Sequence, residues 1–296
     1  LSSRSDNYED ELIWAAAWLY KATGETSYLA KAESMYAARQ QTWTSWSFDW
    51  ADKLQELSFS YWNDKKNGVK DHSILLLVVY MVFFRYASDV EQFCDAALAV
   101  ERSPGGQTFR AQWGSNRYAA NFAFICLGVS EGKKQHFIYP FQAANAGIKT
   151  DAYTAYASSQ INYMLGDNPS QFSYLIGYGD NFAKQPHHKL EILRNQVYIS
   201  SQAAACASAP ASCNWGTFSD TSNDNPHQLD GALVGGPSAA NDYYKDDRTD
   251  YIMAEVTLDY NSGFQSTVAG LKALAVFLEQ VNQQNHPTHL VEYLNL

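Results

Sequence analysis

The chain has 296 residues, of which 46% are hydrophobic, and this is enough apolar material for a large buried core. Lys and Arg number 21 against 31 Asp and Glu, so the formal net charge is −10. A surface of this charge repels phosphate backbones, so nucleic acid is not an expected partner, whereas a neutral polymer such as a polysaccharide is compatible with it.

Helical patterns dominate the chain, and the first two predict a hairpin. Residues 9–23 form a predicted helix with acidic residues in its first turn and Gly24 at its end. Ser27 is the predicted cap of a second helix that runs to about Gln40. Further helices are predicted near residues 51–62, 71–86, 89–101, 116–130, 151–165 and 261–284. About eight helices joined mostly by short loops indicate stacked helical hairpins.

No segment of the sequence is long and apolar enough to suggest a membrane span. The longest apolar run extends from Ile74 to Phe84, whereas a spanning helix needs about 20 apolar residues. This run is therefore predicted to be a buried core helix, and no contact with a membrane is expected.

The character of the sequence changes between Gly166 and Asn261, where Gly, Pro, Asn, Asp and Ser become frequent. The only strand signal is short, from Tyr174 to Gly177. A long irregular stretch inside a compact domain is usually functional, so the chemistry of the protein is predicted to lie here.

The four cysteines fall into two pairs of different character. Cys94 and Cys126 lie in apolar helical patterns and are predicted to be buried thiols. Cys206 and Cys213 flank a short polar stretch, and their spacing is compatible with a local disulfide. None of the cysteines has a spacing typical of zinc sites.

Carboxylates are concentrated just before the last predicted helix. Five of them surround Arg248 between residues 244 and 264, and one, Glu255, is flanked by apolar residues. A carboxyl group in such surroundings can keep a proton near neutral pH and deliver it to a glycosidic oxygen. From the residues alone, a solvated loop with Arg248 paired to an Asp is an equal alternative.

The same segment carries a recognisable signature. The pattern is aromatic-x-Asp-x4-aromatic-x3-Glu-x-small-x3-Asn-small, filled here by Tyr244, Asp246, Tyr251, Glu255, Thr257, Asn261 and Ser262. It resembles the second active-site signature of glycoside hydrolase family 9. The resemblance implies that Glu255 is the catalytic acid, that Asp246 belongs to the catalytic site, and that Arg248 and Tyr260 are substrate-binding residues. Ala254 stands where the family usually has Asn.

A second block is similar to the other signature of this family, which ends in Pro-His-x-Arg after a Gly-rich turn. Here the turn at residues 174–181 leads to Pro186 and His187. The resemblance implies that His187 is a catalytic-site residue, which hydrogen-bonds the sugar near the cleavage point. Lys189 replaces the usual Arg as a substrate-binding residue, which keeps the charge and loses the bidentate fork. By themselves, two adjacent histidines could equally belong to an ordinary surface or bind a metal.

A third block resembles the cleft segment of the family. Pro104-Gly105-Gly106 is followed by Trp113, Arg117 and Tyr118, which the resemblance makes substrate-binding residues, with the Trp stacked on a glucose ring. The alternative is the beginning of a helix that carries a core Trp. The Gly-Gly-Pro turn at 235–237 is predicted to let the backbone approach the cleft closely.

The beginning of the chain resembles a run that holds a structural calcium in many family members. The matching candidates are Asp6, Asp10, Glu11 and Asp52, and oxygen ligands of this kind suit calcium. Ala51 stands where the family has a further Asp. Acidity at the start of a helix is the alternative explanation.

The resemblance implies an all-α fold, an (α/α)6 barrel of helical hairpins with long loops over the cleft. Residues 1–284 are expected to be the C-terminal part of the catalytic domain, and residues 285–296 a C-terminal tail. The Asp-x-Gly-Asp segment that supplies the family's catalytic base is absent from this sequence. The N-terminal helices are therefore expected to be missing from the chain, and an N-terminal fragment is an expected partner that completes the barrel.

The implied function is that of a secreted, inverting endo-β-1,4-glucanase that acts on internal bonds of cellulose or related β-glucans, with no cofactor for the chemistry. One alternative is a non-catalytic glucan-binding or storage protein that retains the cleft without the base. Another is a lyase on the same helical fold, although no other residues here support one.

Overall fold

The computed structural model describes residues 8–40, 90–134, 150–187, 219–225 and 228–285. In these ranges six helices have ten or more residues: α1 (Glu9–Thr23), α2 (Thr26–Gln40), α3 (residues 90–99), α4 (Ser115–Lys134), α5 (Thr150–Met164) and α6 (Leu258–Asn285). They confirm six of the predicted helices, and the predicted helices at 51–62 and 71–86 lie outside the described residues. None of the helices described could cross a membrane, given its length and hydropathy.

Helices α1 and α2 form the predicted hairpin. Gly24 ends α1 in the left-handed conformation, with φ 73°, and its amide donates to Tyr20 O at 2.7 Å. Small residues such as Ala16 and Ala32 let the two helices approach closely around Ile13. Helix α2 begins at Thr26, so the prediction that Ser27 caps it is wrong, because Ser27 already lies within its first turn.

Helix α4 lies at the centre of the described core and packs against both α5 and α6. Its Ala119 and Ala120 contact a cluster that includes Ile161 of α5 and Phe264 of α6. Its Phe122 belongs to a second cluster shared with α3. Because α4 packs in both clusters and against α6, the loop that precedes α4 and the segment that precedes α6 are fixed relative to each other.

The prediction that Cys94 and Cys126 are free thiols is wrong, although both are fully buried as predicted. They form a disulfide that joins α3 to α4, with their Cα atoms 5.4 Å apart. Apolar periodicity shows that each cysteine faces the core, but it does not show that two helices bring their cysteines face to face. Cys206 and Cys213 lie outside the described residues.

The region between α5 and α6 is irregular, as predicted, but the strand expected from Tyr174 to Gly177 does not form. Instead, single bridges join Ser173 to Phe182 and Leu175 to Leu233. The amide of Tyr174 donates to Met164 O, at the end of α5, so the segment has no continuous strand partner. Two further bridges, His187 with Glu255 and Val234 with Val256, gather the loops in front of α6.

Candidate active site

The structure brings Glu255 and His187 together. They form a parallel bridge, in which the amide of His187 donates to Ala254 O at 2.7 Å. Met253 and Ala254 are buried beside it, which fixes the backbone from which the half-buried Glu255 side chain projects. The two residues are 68 positions apart in the sequence, so only the fold makes them neighbours.

One oxygen of the Glu255 carboxyl group receives two hydrogen bonds. Oε2 accepts from Nε1 of Trp113 at 2.6 Å and from the Tyr260 hydroxyl at 2.9 Å. An indole N–H can only donate, so Oε2 is held as an acceptor. Within the described part of the chain no side chain binds Oε1, which leaves that oxygen to carry a proton when the carboxyl group is neutral.

Gly114 makes this double hydrogen bond possible. Its φ is +70°, and a Cβ at this position would lie 2.8 Å from both Cζ and the hydroxyl oxygen of Tyr260. Any larger residue would be strained and would push the Tyr260 ring away. The glycine therefore lets Trp113, its neighbour in sequence, and Tyr260 converge on one oxygen.

The His187 ring is fixed by the backbone and by aromatic neighbours. Nδ1 lies 2.7 Å from Arg248 O, and since a carbonyl can only accept, Nδ1 carries the hydrogen. In the neutral tautomer with hydrogen on Nδ1, the other ring nitrogen, Nε2, is an acceptor. Tyr251 packs edge-on against His187, with ring centroids 6.1 Å apart, and tilts against Trp113 at 5.1 Å.

Tyr251 is a candidate binding residue that the sequence interpretation did not assign. Its side chain is 45% exposed beside both Trp113 and His187, which is a suitable position for stacking on a sugar ring. The signal was present in the sequence, because Tyr251 fills a fixed aromatic position of the signature.

Asp246 holds the backbone that leads to His187. Its carboxylate oxygens accept from the amides of Lys184 at 2.7 Å and Gln185 at 3.0 Å. Burial raises the pKa of Asp246 above its ordinary value, although these two hydrogen bonds oppose the change. The structure thus gives Asp246 an anchoring position in front of His187, and its catalytic role stays a prediction.

Arg248 was predicted to bind substrate, but the structure places its side chain inside the fold. Its side chain is fully buried, and its guanidinium donates to the carbonyl groups of Asp220 and Asn223. The many carboxylates nearby suggested an exposed ion pair, but the backbone of another loop covers the charge. Burial lowers the pKa of Arg248, and the surrounding carboxylates partly offset that effect.

Arg117, also expected to bind substrate, is 7% exposed, and its side chain contacts residues close to Glu255. Its guanidinium pairs with Asp259 at 2.8 Å and lies over the rings of Tyr118 at 4.4 Å and Tyr260 at 5.4 Å. Burial opposes its charge, but Tyr118 and Asp259 outweigh burial and raise its pKa. Tyr118 remains partly exposed at the same place.

The turn at Gly235 and Gly236 approaches the backbone that carries Glu255. A Cβ on Gly235 would lie 2.7 Å from Ile252 O and 2.9 Å from Met253 O. The amide of Gly236 donates to Met253 O at 3.0 Å, while Gly235 O accepts from the amide of Asn116 at 2.9 Å. The close approach expected of this turn therefore links the acid-bearing segment to the beginning of α4.

Asp247 predicts a pH dependence of stability. Burial raises its pKa, but hydrogen bonds from the Lys245 ammonium group and from the Thr249 hydroxyl and amide prevail and lower it to about 2. Because the pKa of Asp247 is lower in the folded state than in the unfolded state, where it is about 3.9, its ionised form stabilises the fold at pH values above about 3.9. This stabilisation is lost as the pH falls through about 2.

We expect Asp247→Asn to lower the Tm at pH 7, and the difference in Tm from the wild type to vanish near pH 2. A difference that persists at pH 2 would contradict this.

Of the remaining predicted site residues, two lie within the described part of the chain and three lie outside it. Asp10 is 3% exposed and Glu11 is half-buried in the first turn of α1, whereas Asp6, Asp52 and Lys189 lie outside the described residues. The described ranges contain no group of three or more His, Cys, Asp or Glu side chains arranged to hold a metal.

Comparison with known proteins places this site in a family. The sequence profile of Glycosyl hydrolase family 9 matches residues 2–268. Endoglucanase B of Cellulomonas fimi is 35% identical over 272 residues, which cover 89% of this chain and 22% of that protein. The endoglucanase of the termite Nasutitermes takasagoensis superposes with a TM-score of 0.71 at 34% identity, covering 92% of this chain and 52% of that chain.

Endoglucanase CelQ of Clostridium thermocellum, solved with cellotetraose, superposes with a TM-score of 0.67 at 27% identity, covering 99% of this chain and 41% of that one. The chain thus spans about half or less of the length of these relatives. The similarity confirms the predicted all-α fold, that of the (α/α)6 barrel.

Proposed function

Because this chain belongs to glycosyl hydrolase family 9, we propose that it is part of a secreted endo-β-1,4-glucanase that hydrolyses cellulose or related β-glucans with inversion. The observation that carries the proposal is the Glu255 carboxyl group, held through Oε2 by two donors with Oε1 left for a proton. The names of the endoglucanase relatives support the same activity.

Glu255 acts as the general acid in this proposal. Its Oε1 proton passes to the glycosidic oxygen as the bond to the anomeric carbon breaks, so the leaving sugar departs as a neutral alcohol. The carboxylate that forms is stabilised at once by the Trp113 and Tyr260 donors on Oε2. No reorganisation of the site is needed at that moment, because both donors are already in place.

Inversion also requires a carboxylate on the opposite face of the sugar, about 6.5–9.5 Å from the acid, to deprotonate the attacking water. We assign this base to an Asp in the part of the barrel that an N-terminal segment outside this sequence provides. The rings of Trp113, Tyr118 and Tyr251 would stack on the glucan, and the His187 ring would hydrogen-bond a sugar hydroxyl. The CelQ complex with cellotetraose supports a β-glucan ligand.

The anomeric form of the first product tests this proposal. The full-length protein is incubated with cellopentaose, and the products are followed by proton NMR before they mutarotate. We expect the α-anomer to appear first, because inversion of a β-linkage yields α. Initial formation of the β-anomer would contradict inversion, and binding without any release of reducing ends would favour the glucan-binding alternative.

We also propose a structural calcium ion bound by Asp10 and Glu11, with Asp6 and Asp52 as further ligands. The fit rests on the chemistry of the donors, because the carboxylate oxygens of the buried Asp10 and the half-buried Glu11 are hard ligands of the kind calcium prefers. The ion would tie the beginning of α1 to the segment around residue 52 and take no part in the chemistry.

Removal of calcium is expected to lower the thermal stability of the protein. At a free calcium concentration of 100 times Kd, binding contributes about 2.7 kcal/mol, so EDTA should lower the Tm by roughly 5–10 °C. Asp10→Asn should abolish this response to EDTA, whereas the exposed neighbour variant Glu9→Gln should retain it. An unchanged Tm in EDTA would refute the calcium site.

A further inference from the structure

The segment 219–225 packs against the residues that lead to His187. The amide of Asn225 donates to Lys184 O at 3.0 Å, and its side-chain Nδ2 donates to Pro186 O at 3.1 Å. From the other side, Nε2 of Gln185 donates to Thr221 O at 3.1 Å. The three residues immediately before His187 are therefore each bound to this segment.

Arg248 joins the same segment to the His187 ring. Its side chain donates to the carbonyl groups of Asp220, at 3.1 Å, and Asn223. Its own backbone carbonyl accepts the Nδ1 hydrogen of His187 at 2.7 Å. One residue thus holds the segment with its side chain and orients the imidazole with its main chain.

Burial of the guanidinium makes this arrangement resistant to displacement. Arg248 is fully buried, and both hydrogen-bond acceptors that bind it are carbonyl groups of the segment. If the segment moved away, the buried guanidinium of Arg248 would lose both of these acceptors, which is costly. The segment and Arg248 are therefore expected to move as one unit, and His187 with them.

We propose that Arg248 and Asn225 are positioning residues, which act through the segment 219–225 to set the backbone and ring of His187 relative to Glu255. This inference rests on the proposed function, since it assigns the segment a part in the same reaction. The segment does not contact Glu255 through any described hydrogen bond, so its effect on the reaction must pass through His187.

A double-mutant cycle in the full-length protein tests the proposal. Asn225→Ala removes the bond to Pro186 O and is expected to lower kcat/KM on cellopentaose about 10- to 100-fold, because a small displacement of a binding group is enough to cost this much. In a His187→Ala background the same change should lower kcat/KM less than about 2-fold, since nothing remains to be positioned. A segment that only stabilised the fold would instead give the same effect in both backgrounds, and that result would overturn the proposal.

Ser222→Ala is the matched control. Ser222 is exposed, and among the described residues its side chain bonds within the segment, to Asp220 and Asn223, so we expect wild-type kcat/KM. If Asn225→Ala does not fold, Gln185→Ala, which loses the bond to Thr221 O, takes its place in the cycle with the same two outcomes.

If the wild-type protein had no glucanase activity, the proposed function would be refuted, but the positioning of His187 by the segment could still be tested. The positioning is then measured by NMR of ¹⁵N-histidine-labelled protein, with the His187 signal assigned from the His187→Ala variant. The bond to Arg248 O predicts that the hydrogen is held on Nδ1 in the wild type, and that this preference is lost in Asn225→Ala. An identical His187 signal in both proteins would refute the positioning role.

Discussion

Replacing Glu255 with Gln is expected to lower the kcat on carboxymethyl cellulose by about 10²–10⁴-fold, the usual contribution of a general acid. Gln has nearly the same shape, and its amide oxygen can still accept from Trp113 and Tyr260. Its amide nitrogen, however, has no proton that it can transfer to a leaving oxygen. The variant should therefore fold and bind the glucan normally while the release of reducing ends nearly stops.

Glu101→Gln is a suitable control for this variant. Glu101 is exposed and lies outside the site, so the same chemical change there should leave kcat unaltered. Tm values and cello-oligosaccharide affinity, measured for both variants, separate a loss of chemistry from a loss of folding. If Glu255→Gln kept the wild-type kcat, Glu255 could not be the general acid.

Tyr260→Phe is expected to have the second largest effect, a loss of about 10- to 100-fold in kcat. The change removes one donor from Oε2 of Glu255, and a hydrogen bond to a charged group contributes about 1.5–3 kcal/mol. That stabilisation is greatest after the proton has left, when the carboxylate is charged, so kcat should fall more than KM changes. The ring itself stays in place because it is buried against Gly114 and beneath Arg117.

Tyr163→Phe separates this effect from the loss of any buried hydroxyl group. Tyr163 is equally buried and donates to Asp242 at 2.8 Å, away from Glu255. It should lose stability with little change in kcat. Equal losses of kcat in the two variants would show that the Tyr260 hydroxyl has no special role at Oε2.

The sequence was sufficient to predict the six helices that the structure describes, since amphipathic periodicity and helix-end residues such as Gly24 are local signals. It also indicated that Glu255 and His187 share a site, because each lies in a recognisable signature. The disulfide between Cys94 and Cys126 could not be predicted from the sequence, since that bond depends on how two helices pack against each other. The prediction of a short strand was wrong for a related reason. The segment at 174–177 is apolar, but in the described part of the chain it forms only an isolated bridge and has no partner strand along its length.

The details of the site depend on contacts between residues that are distant in sequence. Trp113 and Glu255 are 142 residues apart, so no local pattern shows that an indole and a phenol bind one carboxylate oxygen. The alternative considered for Arg248 was a solvated ion pair, because a cation among carboxylates is typical of a solvated surface. Its acceptors are instead main-chain carbonyl groups, which every sequence has and which only the fold can aim at it.

The dependence of the rate on the leaving group tests the role of Glu255 most directly. A dinitrophenyl leaving group departs as a stable anion and needs no proton, whereas a glucosyl leaving group does. If Glu255 is the general acid, the ratio of wild-type to Glu255→Gln rates should be about 10²–10⁴ on cellopentaose and should fall to within about tenfold on dinitrophenyl β-cellobioside. The same large ratio on both substrates would contradict proton donation by Glu255.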